Sequence, residues 1–105
     1  MAGLEYAGLE YTEAALADLA AIWTYTSNTW GEEQAEHYIE ALEAECLGLA
    51  TGEIRHRPFP ALRALTGYRR CRHHYIFFVR DGVRTIIVAV LHERMDLIAR
   101  LESRL

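Results

Sequence analysis

Two runs of this chain are apolar on both of their faces, and that constrains what the rest must build. In Tyr75-Ile76-Phe77-Phe78-Val79 and in Ile86-Ile87-Val88-Ala89-Val90-Leu91, successive side chains of an extended strand point to opposite sides, yet both sides are apolar. An antiparallel sheet with one wet face alternates apolar and polar residues. Something must therefore cover each face. Asp81-Gly82 lies between the runs and predicts a tight hairpin, because both residues tolerate the positive φ of a type I′ turn. With Gly67 to Cys71 in front, the stretch from Gly67 to Asp96 reads as three short strands. A chain of 105 residues is one domain, 1–105, with a single modest core. It has little left to build both covers, which points to an outside segment for one of them.

The other elements follow by spacing. Gly3-Leu4-Glu5-Tyr6 is echoed by Gly8-Leu9-Glu10-Tyr11, and the second copy predicts an edge strand with Leu9 and Tyr11 on one side. Thr12 is a good N-cap, with Glu13 in the first turn. Ala15, Leu16, Leu19, Ile22, Trp23 and Thr26 then keep helical period, and Ser27-Asn28-Thr29 is expected to end that helix at about Tyr25–Asn28. Glu32 to Ala50 predicts a second helix with Ala35, Tyr38, Ile39, Leu42, Cys46 and Leu49 as its apolar stripe, making an antiparallel αα-hairpin. Thr51 to Thr66 has no period and carries Gly52, Pro58 and Pro60, so it reads as an irregular connection. In Met95 to Leu105, Leu97, Ile98, Leu101 and Leu105 share a face, with Arg100 and Arg104 towards the carboxyl end. The expected fold class is α+β: an N-terminal edge strand, an αα-hairpin packed on a small antiparallel β-sheet, and a short C-terminal helix.

Charge divides the chain in two. Residues 1–54 hold eleven acidic side chains and no Lys or Arg, whereas residues 55–105 hold all eleven Arg and four acids, so the halves carry −11 and +7. Acidic helix faces are solvated by default, but without compensating cations they favour an Arg-bearing partner. The net charge of −4 argues against sequence-specific nucleic-acid binding. No run of about 18 apolar residues predicts a membrane span, and the acidic N-terminus does not read as a signal peptide. Cys46 and Cys71 suit buried, reduced thiols, so the expected setting is cytoplasmic, with no metal or cofactor.

No phosphate loop, nucleophile elbow, Cys-x-x-Cys or His-Glu-x-x-His is present. Adjacent His73 and His74 would face opposite ways on a strand and could not share an ion. One cluster remains: Arg69, Arg70, Arg72, His73, His74, His92 and Arg94 fall on or beside neighbouring strands. Cations that hold phosphate, beside groups that move protons near neutrality, are what an RNA-cleaving site needs. Equally, the arginines could contact the acidic helices or a protein partner.

The ordered set Thr12 with Ala17-Asp18-Leu19, Ile22-Trp23-Thr24-Tyr25, Trp30-Gly31, Glu33-Gln34-Ala35 and Tyr38, Gly67-Tyr68-Arg69-Arg70-Cys71, Tyr75-Ile76-Phe77-Phe78 and Val90-Leu91-His92-Glu93-Arg94-Met95-Asp96 resembles the ParE toxins. These belong to the RelE/ParE superfamily of type II toxin–antitoxin systems. The likeness spans about Leu9 to Leu101. It implies the fold just described, a ParD-like antitoxin whose carboxyl-terminal segment wraps the toxin, and DNA gyrase as the poisoned target. It implies no catalysis. On this reading the antitoxin contacts Tyr75, Phe77, Phe78, Ile87 and Arg69, and the target contacts His92, Arg94, Met95, Asp96 and Leu101. RelE relatives cleave messenger RNA on the ribosome; a site of that kind would use Arg70, Arg72, His74 and His92, although the tyrosine and lysines of the RelE pattern are absent. A non-toxic assembly module is the third alternative.

Overall fold

The computed structural model describes residues 8–105, so the first copy of the Gly-Leu-Glu-Tyr echo lies outside the described residues. In chain order the elements are β1 (Leu9–Tyr11), α1 (Glu13–Trp30), α2 (Glu32–Thr51), β2 (Gly67–Cys71), β3 (His74–Asp81), β4 (Arg84–His92) and α3 (Leu97–Glu102). Thr12 caps α1 as expected, its Oγ1 accepting from Ala15 N at 3.1 Å. The helix runs on through Ser27-Asn28-Thr29. Ser27 turns its hydroxyl back to Thr24 O at 3.1 Å and so stays within the helix. Gly31 stops it instead: at φ +96 it donates to Ser27 O at 2.9 Å and starts α2 one residue later. Leu16, placed on the apolar stripe by spacing, is exposed.

The sheet has the order β1-β4-β3-β2. β2, β3 and β4 are antiparallel, as expected, while β1 joins β4 in parallel from Leu9↔Thr85 to Tyr11↔Ile87, so the sheet is mixed. Leu9 and Tyr11 do share a side, both packing on the helix-side core. The β3–β4 hairpin closes at Asp81↔Arg84, which moves the turn to Gly82-Val83. Only Gly82 takes a positive φ (+62), the pattern of a type II′ turn and not of type I′. Asp81 belongs to the strand and faces Arg84 across it at 3.4 Å. The β2–β3 hairpin closes at Cys71↔His74, with Arg72 at φ +57 in its two-residue turn. That backbone costs an arginine about 1 kcal/mol. Arg72 O accepts from Arg70 Nε at 3.1 Å, and His73 N donates to Tyr38 Oη at 3.3 Å, which holds the turn in place.

Both faces of the sheet are covered by the chain itself. On one side Ile76, Phe78, Ile87 and Val90 pack on Ala15, Leu19, Ile22, Leu42 and Leu49 of the helical hairpin, beside the buried thiols of Cys46 and Cys71. On the other, Phe77, Val88, Ala89 and Leu91 lie under Phe59, Leu62 and Leu65 of the irregular connection and under Leu97 and Leu101 of α3. A bulge in β4 opposite Phe77/Phe78 turns Val88 and Ala89 to the same side, which thickens this second core. The expectation of a missing cover is therefore corrected. Phe77, Phe78 and Ile87 are fully buried within the monomer, and so is Leu101. None of the four offers a surface to antitoxin or target.

Among the described residues no helix is long and apolar enough to cross a membrane.

Candidate functional site

A groove of about 1100 Å³ lies between α1, the start of α2, the β2–β3 turn and the end of β4. Ile22 and Val90 form its floor, Tyr25, Trp30 and Tyr38 its aromatic wall, and Met95 one end. Ile22 and Thr26 face the core, so Tyr25 falls off the buried stripe, and Trp30 sits at the last helical position, where the stripe runs out. Their rings are 68 % and 70 % exposed. Two large aromatics held open in one groove are expensive to leave in water and mark an interaction surface.

Arg72, His73, His74 and His92 line the same groove. His73 sits in the turn and not on the strand, so it and His74 reach one site, contrary to the strand alternation assumed for them. Tyr38 Oη and His74 Nδ1 are 2.7 Å apart. The His92 ring lies 5.2 Å from His74, edge on, and 6.4 Å from His73, stacked. His73 Nδ1 meets Glu93 Oε2 at 3.0 Å, and the other oxygen of Glu93 binds Arg70. The hydrogen bond from His73, backed by the Arg70 charge, lowers the Glu93 carboxyl below its ordinary range. Burial raises the Tyr38 phenol. Burial first, then repulsion from His92 and His73, pulls His74 down to about 4.

This arrangement supports structure better than catalysis. Arg70 is committed to Glu93, and His74 is buried with Nδ1 against Tyr38. His92 Nδ1 accepts from Arg94 N at 3.1 Å. A general base needs a free nitrogen facing substrate; among the described residues Arg72 is the one of the four ribonuclease candidates whose side chain has no hydrogen-bonding partner, and its guanidinium, 5.5 Å from the centre of the Tyr38 ring, is no base. Among the described residues no three His, Cys, Asp or Glu are placed to hold a metal.

The depressed His74 pKa gives a signed expectation. The folded ring stays neutral to about pH 4, while the unfolded ring takes its proton near 6.5. Its contribution is fully present above pH 6.5 and is lost as pH falls from there towards 4. At about 1.4 kcal/mol per unit, discounted for residual solvent, the loss is on the order of 2 kcal/mol. Urea midpoints of wild type and His74→Gln should differ less at pH 4.5 than at pH 7. A His74 imidazole titrating near 6.5 by NMR would contradict this.

The residues named for partners separate. His92 and Met95 line the groove, and Arg94 is exposed beside it. Asp96 is occupied in capping α3, accepting from Ala99 N at 3.2 Å. Tyr75 and Arg69 lie outside this groove, with Arg69 Nε on Glu45 at 2.9 Å. Arg69 thus meets an acidic helix, as one reading of the arginines had it. Spacing does not reveal Tyr25, Trp30 and Tyr38 as one wall; for Tyr25 an aromatic just off the apolar stripe is the available signal, whereas Tyr38 stands on the stripe of its own helix.

The family model described as "ParE toxin of type II toxin-antitoxin system, parDE" matches residues 9–97, from β1 to the first residue of α3. The chain is 46 % identical over 99 residues to "Toxin ParE" of Escherichia coli, covering 90 % of this chain and 92 % of that one. It is 43 % identical over 88 residues to "Toxin ParE1" of Caulobacter vibrioides, covering 83 % and 90 %. Among solved structures it resembles "Chromosomal ParDE TA system from P. aeruginosa", with a TM-score of 0.71 at 19 % identity over 81 % of this chain and 94 % of that one. At that identity the likeness concerns the fold.

Proposed function

Because the chain belongs to the ParE toxin family of type II toxin–antitoxin systems, we propose that it inhibits DNA gyrase by binding, and that a ParD-like antitoxin neutralises it by filling the aromatic groove. The observation that carries this reading is the exposure of Trp30 and Tyr25 in one groove. The sheet faces are closed by the chain's own segments, and the exposed rings of Tyr25 and Trp30 gather in this groove, which supports it as the antitoxin's seat. Met95 and His92, two of the proposed target contacts, line the same groove. An antitoxin segment seated on Trp30 would cover them, and neutralisation becomes occlusion. No step requires a catalytic group.

Purified protein is expected to block gyrase supercoiling, to leave ribosome-bound messenger RNA intact, and to release gyrase when antitoxin is added. Buried aromatic anchors dominate such interfaces, so Trp30→Ala should weaken antitoxin binding by at least about 2 kcal/mol, roughly thirtyfold, without moving the thermal midpoint. Unchanged affinity would place the antitoxin elsewhere. Cleaved messenger RNA with unimpaired gyrase would restore the ribonuclease reading, and unslowed growth on expression alone would favour the assembly module.

A further inference from the structure

A second groove, of about 560 Å³, lies along the β2 edge, and the gyrase reading does not use it. Arg55, His56, Arg57, Arg69 and Arg70 line it with two tyrosine rings between them, and no Asp or Glu does. Its cations are held in place by backbone. Arg57 N donates to Tyr68 O at 2.9 Å and Tyr68 N donates to Arg57 O at 2.8 Å, which clamps the Arg55–Arg57 segment to the strand. That approach depends on Gly67, where a Cβ would stand 2.5 Å from both Arg57 O and the His56 ring. Arg69 Nη1 reaches Arg55 O at 3.2 Å, joining the two sides of the groove. Arg69 and Arg70 are compensated from outside the groove by Glu45 and Glu93. The Arg55 and Arg57 guanidiniums form no ion pair among the described residues, so the groove keeps a net positive charge.

The chemistry selects the ligand. Guanidinium forks match phosphate oxygens. An acidic peptide would also want apolar anchor pockets, and here the tyrosines are already packed. Tyr68 and Tyr75 lie edge to face with each other, Tyr68 also with Phe59, and Arg70 lies over the Tyr75 ring at 5.8 Å. These contacts tie the rings to their neighbours. We infer that the Arg55–Arg57 groove binds the phosphodiester backbone of nucleic acid without reading its sequence. The acidic helices, which carry no Lys or Arg, repel the same polyanion, so the protein approaches it by the arginine edge. On gyrase this would put the toxin against the DNA that the enzyme holds.

Fluorescence anisotropy with two labelled duplexes of unrelated sequence tests the inference separately from any supercoiling assay. Both should bind equally, with log affinity falling against log salt at a slope of about −2 to −4, as for two to four neutralised phosphates. Arg55→Gln with Arg57→Gln should flatten that slope by about 2 and weaken low-salt binding at least about tenfold, with the thermal midpoint unchanged. Glu36→Gln, on the exposed side of α2, should not weaken it. Absence of binding at about 50 mM salt, or full binding by the double variant, would overturn the inference. So would displacement of the duplex by polyglutamate as readily as by the same charge of unlabelled duplex, which would mark a carboxylate site.

Discussion

Phe77→Asp should unfold this protein and not merely detach it from a partner. The side chain is 0 % exposed, with Phe59 packed on it edge to face at 5.2 Å and Tyr68 at 5.9 Å. Truncating a buried Phe costs about 3–5 kcal/mol. A carboxylate in its place adds the cost of burying a charge among apolar groups with no partner. The total, at least about 5 kcal/mol, equals the whole stability of many small domains. Far-UV circular dichroism and urea titration should show loss of the cooperative transition for Phe77→Asp and its survival in Phe77→Leu. A folded Phe77→Asp protein with a native midpoint and lost antitoxin binding would return the sheet face to the role of docking surface.

Removing either member of the Asp18–Arg104 pair should cost about 2–3 kcal/mol, and removing both little more. The reason lies at the edge of the sheet. β1 covers β4 only from Thr85 to Ile87, and beyond it Val88 O and Val90 N face outwards. Asp18 Oδ2 accepts from Val90 N at 2.8 Å, and Arg104 Nη1 donates to Val88 O at 3.0 Å. The two side chains close on each other through bonds of 2.6 and 2.7 Å, both largely buried. An ion pair thus does the work of the missing strand, and it also ties the carboxyl end of the chain to α1. Losing one partner strands a largely buried charge and reopens a backbone group. Urea midpoints of Asp18→Ala, Arg104→Ala and the double variant measure the coupling; strict additivity would show that the pair is incidental.

What can be read along the chain is what short-range physics governs. Thr12, Gly31 and Gly82 act within a few residues of themselves, and the helical stripes of Leu19–Ile22 and Leu42–Leu49 declare their buried side by period alone. The double-sided strands declared that two covers were needed. They could not say whose. Phe59, Leu62 and Leu65 stand in a connection without period, because they meet the sheet from an irregular backbone where no spacing rule applies. Arg104 looked like a helix-end cation, and its carboxylate partner lies 86 residues away. The aromatic groove and the arginine groove are likewise juxtapositions of distant segments.

Element types, their order and the demand for two apolar covers were therefore legible along the chain, since each follows from period and capping within a local window, whereas the end of α1 and the exact β3–β4 turn were not. That the chain supplies both covers follows only from packing between distant segments, and this supports the proposal that partners use the groove at Tyr25 and Trp30 instead of the strands. Burial is a property of what packs on a residue, and for Phe77 that is Phe59, in a different part of the chain.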